Sequence, residues 1–176
     1  LPATQAASLI STYRVGESSP LGVVSWLGYG STNVTEFYIN IWKIDSKTGD
    51  WSLTHHSPEN KALLQGGTSP KWHFYELAEP IAVVAGEEYG FELAPVGSGT
   101  HYVRGYSTSD QIPDHPYAKI VKLAATRNNT TDGNSPPSTI AKGDVTRSAN
   151  VGWMEVAIDT GNEPGHHDPI EIYMTE

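Results

Sequence analysis

The chain has no cysteine in 176 residues, which excludes a disulfide framework, thiolate zinc sites and a cysteine nucleophile. Basic residues are scarce: 11 Lys and Arg stand against 20 Asp and Glu, giving a formal net charge of −9. Proteins that grip phosphate backbones concentrate Lys and Arg, so the balance argues against nucleic acid and no such partner is expected. Long hydrophobic runs are also missing. The longest, Ile81 to Ala85, falls far short of the ~18 apolar residues of a membrane-spanning helix, and no membrane insertion is expected. No segment sustains a 3.6-residue apolar stripe; the best, Lys119 to Ala124, is short and follows Pro113 and Pro116.

What is abundant is turn chemistry, with 17 Gly and 12 Pro, and a period of two. Phe37, Ile39 and Ile41 alternate with Glu36, Tyr38, Asn40 and Trp42, the pattern of a half-buried strand. The cluster Asp45-Ser46-Lys47-Thr48-Gly49-Asp50 follows, then Trp51 to His55 resumes extended chemistry, so the pair reads as a β-hairpin. In Glu88 to Leu93, Tyr89, Phe91 and Leu93 point inward and two carboxylates point to water. Further extended segments run Gly22 to Tyr29, Trp72 to Leu77, Ile81 to Val84, Thr100 to Tyr106, Lys119 to Leu123, Gly152 to Ile158 and Ile170 to Met174. About ten short strands without helices predict an all-β fold, an antiparallel β-sandwich with a jelly-roll-like arrangement. The start, Leu1-Pro2-Ala3-Thr4-Gln5, has neither an initiator Met nor a signal-peptide pattern. Residues 1–12 are therefore expected to be a linker or N-terminal strand from a longer chain, and residues 13–176 a single domain. Thr126 to Asn150, rich in Asn, Thr, Ser, Gly and Pro with Ile140 and Val145 as its anchors, is expected to be a long surface loop.

Motifs for chemistry are sparse. His55-His56 and His166-His167 are adjacent pairs that point to opposite faces of a strand, and no His-Glu-x-x-His is present. No cofactor or metal is expected; if an ion binds, Ca²⁺ with oxygen ligands suits the carboxylate excess, although no Asp-x-Asp-x-Asp-Gly loop exists. Glu87, Glu88, Glu92, Asp110, Asp114 and Glu155 are carboxylates that glycoside hydrolysis could pair, but solvation of a wet sheet face explains them first. There is no Gly-x-Ser-x-Gly elbow. The Asn-x-Thr triplets at Asn33, Asn128 and Asn129 read as chance matches in polar loops.

The aromatics carry more. There are 5 Trp, 9 Tyr and 3 Phe. Tyr38 and Trp42 lie opposite Phe37, Ile39 and Ile41, so the same core does not account for them. The same period puts Tyr102, Arg104 and Tyr106 on one side, where an Arg between rings can hold a carboxylate or sugar hydroxyls. Packing under a loop, a subunit interface and sugar stacking all use such rings. These five residues are the candidate ligand-binding set.

Several stretches also resemble a known family. Ser25-Trp26-Leu27-Gly28-Tyr29-Gly30, Trp72-His73-Phe74-Tyr75-Glu76-Leu77, Gly86 to Leu93 and Gly99-Thr100-His101-Tyr102-Val103 are similar to the C-terminal domains of minor tail proteins from tailed phages of actinobacteria. Pro113-Asp114-His115-Pro116, Leu123 to Asn128, Ser135-Pro136-Pro137-Ser138 and Ser148 to Trp153 continue the likeness in the same order. It spans about Tyr13 to Ile158. The resemblance implies a virion module at the tail tip or fibre that contacts the host envelope, a glycan or glycolipid being the expected partner. It implies other tail proteins and further copies of the chain as neighbours, with a trimer favoured, and it brings no catalytic residue. A purely structural oligomerisation domain and a polysaccharide-cleaving hydrolase are the alternatives.

Overall fold

The computed structural model describes residues 2–4, 7–29, 33–64, 69–107, 118–119, 124–128, 134–148, 150–152 and 154–158. They form β1 (Pro2–Thr4), β2 (Ala7–Val15), β3 (Ser19–Tyr29), β4 (Val34–Ile44), β5 (Trp51–His56), β6 (Lys71–Val83), β7 (Glu88–Gly97) and β8 (Thr100–Val103). After these come β9 (Gly105–Ser107), β10 (Ala118–Lys119), β11 (Ala124–Asn128), β12 (Thr139–Ile140), β13 (Val145–Ser148), β14 (Asn150–Gly152) and β15 (Met154–Ile158). Two 3-10 turns, Lys61–Leu63 and Lys142–Asp144, complete the described elements.

The larger sheet has eight strands in the order β12-β5-β4-β7-β2-β11-β13, with β10 also on β2. The smaller has five, β1-β8-β3-β15 with β6 on the other edge of β3, and β14-β9 forms a separate ribbon. Every pairing is antiparallel. The protein is therefore an all-β, two-sheet antiparallel fold. Its main core holds Phe37, Ile39, Ile41, Tyr89, Phe91 and Leu93 from the larger sheet against Val24, Trp26, Tyr75, Leu77, Val103 and Met154 from the smaller. Those are the inward positions that the alternation in β4 and β7 predicts.

Local chemistry sets the turns. The Asp45 carboxylate accepts from the Lys47 and Thr48 backbone N–H groups at 2.7 and 2.9 Å, and Gly49, with φ of 79°, closes the hairpin. Trp72 to Leu77 and Ile81 to Val84, read from sequence as two segments, join into the single strand β6. The junction is a bulge, because Leu21 pairs with Ile81 and Val23 with Glu76, leaving Leu77 to Pro80 opposite Gly22 alone. Thr100 to Tyr106 is instead two strands interrupted at Arg104. Of Lys119 to Leu123, only Lys119 is described, and Ile170 to Met174 lies outside the described residues.

Two expectations are corrected. The stretch from Thr126 to Asn150 is not one long loop where it is described: β11 reaches Asn128, and β12, the second 3-10 turn and β13 follow. Ile140 and Val145 pack with Ile10, Trp42, Ile44, Trp51 and Leu53 in a second apolar cluster, on the face of the larger sheet turned away from the main core. Glu92 is not on a wet face. It is fully buried, because this second layer covers what the alternation alone leaves outward.

Candidate functional site

The four predicted residues whose side chains are described do not come together. Trp42 is fully buried and donates its indole N–H to Glu92 Oε2 at 2.8 Å, so it is core and cannot stack on a ligand. Tyr38 is half-buried, donates its hydroxyl to Glu36 at 2.7 Å and stacks on His56 with ring centroids 5.1 Å apart. Its pKa is pushed up to about 12, first by that bond to Glu36, then by burial and nearby carboxylates. Tyr102 is on the outer face of the smaller sheet, 40% exposed, stacked on Tyr29 at 5.0 Å and nearly parallel. Arg104 is exposed at the break after β8, its backbone N–H bonded to Leu27 O, so the shared side expected for Tyr102, Arg104 and Tyr106 has no continuous strand to support it. Tyr106 pairs through its backbone with Val151; its side chain lies outside the described residues.

The surplus of rings is on β6. His73, Tyr75 and Leu77 point inward and are buried, so Trp72, Phe74 and Glu76 point out. Trp72 and Phe74 are 38% and 57% exposed, with centroids 6.4 Å apart and planes at 32°. The signal was in the sequence: the period of two that separates Tyr38 from Phe37 separates Trp72 and Phe74 from His73 and Tyr75 in the same way.

Two depressions flank these rings. The first, of about 230 Å³, is lined by Leu63, Lys71, Trp72, His73 and Phe74. The second, of about 420 Å³, runs between β5 and β6 and is lined by His55, Pro58, Asn60, Leu63, Phe74, Tyr75, Glu76 and Ala78, a size within the range of small-ligand sites. Leu63 and Phe74 belong to both and form the ridge between them. His73 holds one wall, its Nδ1 2.6 Å from Leu63 O and its Nε2 3.1 Å from Gly28 O. In the second depression His55 Nε2 and the Tyr75 hydroxyl share a 2.8 Å hydrogen bond. Burial, then the neighbouring His56, pushes the His55 pKa down, and burial pushes the Tyr75 pKa up; both shifts favour neutral groups.

Behind the site, His101 is fully buried and accepts from Trp26 Nε1 at 2.8 Å. Burial first, and His73 second, lower its pKa to about 3. Among the described residues no three His, Asp or Glu side chains converge to hold a metal ion. What the β6 surface can do chemically is stack a flat apolar ring face and hydrogen-bond its polar rim. No family model matches the chain, and no curated protein matches it either.

Proposed function

We propose that this chain is a non-catalytic adhesion module of a phage tail, placed at the tail tip or fibre, that recognises a glycan or glycolipid of the host envelope. The observation that carries the recognition reading is the exposed Trp72 and Phe74 pair, Trp72 in the first depression and Phe74 on the ridge that divides it from the second. The tail assignment is supported by the sequence resemblance. Among the described residues lining the depressions Glu76 is the one carboxylate, whereas glycoside hydrolysis uses two, roughly 5–9.5 Å apart; that favours recognition over cleavage. Such a site is shallow and weak singly. Copies joined to one another, as a trimer, and to other tail proteins convert it into firm attachment through effective concentration.

The test is a glycan array and a cell-wall pull-down with the purified chain. Trp72→Ala and Phe74→Ala each lower binding by about tenfold or more while far-UV circular dichroism stays unchanged. Wild-type binding by the double variant discards the site. A purely architectural reading has one observation in its favour: Tyr102, stacked on Tyr29, leaves a ring face open on the smaller sheet that a sister copy could cover. Light scattering separates the two, since a trimer that dissociates in Tyr102→Ser while glycan binding is absent favours assembly.

A further inference from the structure

We propose that the track along β6 takes an internal stretch of a neutral, linear polysaccharide, with sugar rings on both sides of the ridge formed by Leu63 and Phe74. This rests on the glycan reading above and adds the charge and length of the ligand.

Charge follows from the lining. Among the described residues the polar side chains lining the larger depression are His55, Asn60, Glu76 and Tyr75, whose hydroxyl is bonded to His55; the carboxylate of Glu76 is the one charge among them, His55 being kept neutral by its burial. Glu76 and Lys71 flank the two rings from opposite ends, one in each depression. Acidic glycans call for arginine forks or paired cations; among the described residues this track has one lysine and one carboxylate, with a chain of net charge −9 behind it. Length follows from the two rings. They stand two residues apart on one strand face, 6.4 Å between centroids and 32° from parallel, which makes successive platforms rather than a slot for a single ring. A lone monosaccharide fills one depression; a chain engages both.

A strand from a second copy is a poorer occupant. Among the described residues β6 pairs with β3 alone, but its border carries Glu76 and then Glu79 and Pro80 within the bulge, features that block strand addition.

The experiment is titration of the whole chain with neutral linear glucans, mannans and galactans as mono- and hexasaccharides, and with polygalacturonate, hyaluronate and alginate. One neutral series is expected to bind, its hexasaccharide about tenfold tighter than its monosaccharide, with binding lost in Trp72→Ala. Preference for the acidic polymers through Trp72, or equal affinity for one ring and six, overturns this inference and leaves the glycan reading standing. No binding to any of these while the array of the preceding section gives a Trp72-dependent hit on a branched or terminal sugar also overturns it alone. Silence of both experiments overturns both. A dimer that falls apart in Trp72→Ala with Phe74→Ala replaces the sugar with a second copy.

Discussion

At the level of single residues, Glu92 is the most demanding position in the larger sheet. Its carboxylate accepts from the Ser8 hydroxyl on β2 and, at 2.9 and 2.8 Å, from Asn40 Nδ2 and Trp42 Nε1 on β4. Asn40 Oδ1 in turn accepts from His56 Nδ1 at 2.7 Å. One acceptor thus pins three strands, and removing it leaves buried donors unmatched. Glu92→Ala is expected to cost about 3 kcal/mol in urea denaturation, well above the cost of truncating an exposed carboxylate. His101 makes a second prediction. Its folded-state pKa of about 3 lies below the ordinary 6.5, so the unfolded chain takes the proton first as pH falls. The neutral ring's contribution is complete above about pH 6.5 and declines towards pH 3, at up to roughly 1.4 kcal/mol per unit. His55 and His56, also lowered chiefly by burial, act in the same direction. Urea melts across that pH range should show the decline, and His101→Gln, which retains an acceptor for Trp26, should make it shallower by about one proton.

At the level of elements, the segment carrying β12 and the second 3-10 turn is a strap over the outer face of the larger sheet. It is tied by the Thr139 and Ile140 pairing with β5, by Leu53 N–H to Ser138 O at 2.9 Å and by Lys142 N–H to Asp50 at 3.1 Å. Ile140 is its buried anchor. Ile140→Ala should cost about 2–4 kcal/mol and raise acrylamide quenching of tryptophan fluorescence as Trp42 and Trp51 open to solvent. The neighbouring Gly90 has no room for a methyl group, since a Cβ there would lie 2.5 Å from Trp51 Cζ3 and 3.2 Å from Ile10 Cγ2. Gly90→Ala should destabilise by about 1–3 kcal/mol and shift the tryptophan emission. These two elements also mark what the sequence could convey. Clean alternation in β4 and β7 identified the inward residues, since one face of each meets the main core. The same alternation left Trp42 and Glu92 outward, because period records sidedness and not whether a distant polar segment folds over the second side. Ile140 and Val145 were legible as the anchors of that segment, but its Asn- and Ser-rich composition read as loop and did not tell which surface they cover. In β6, by contrast, the sidedness of Trp72 and Phe74 was readable and was obscured by the bulge at 77–80, which divides the strand into two apparent pieces.

At the level of the whole molecule, β2 and β4 contribute to both apolar clusters, one on each side of the larger sheet. Neither cluster can melt without stripping strands from the other. Chemical unfolding should therefore be a single transition, with far-UV circular dichroism and tryptophan fluorescence superimposing; two resolved steps would make the strap an independent unit. The smaller sheet differs, since Trp72, Phe74 and Tyr102 on its outer side remain open. The bulge that interrupts β6 at Leu77 to Pro80 has a consequence for crowding. Where many copies stand shoulder to shoulder, a straight bare border would recruit its twin and seed fibres. A kinked, acidic, proline-bearing border stays inert at that density, so a greasy flank can remain uncovered without the copies clumping through it.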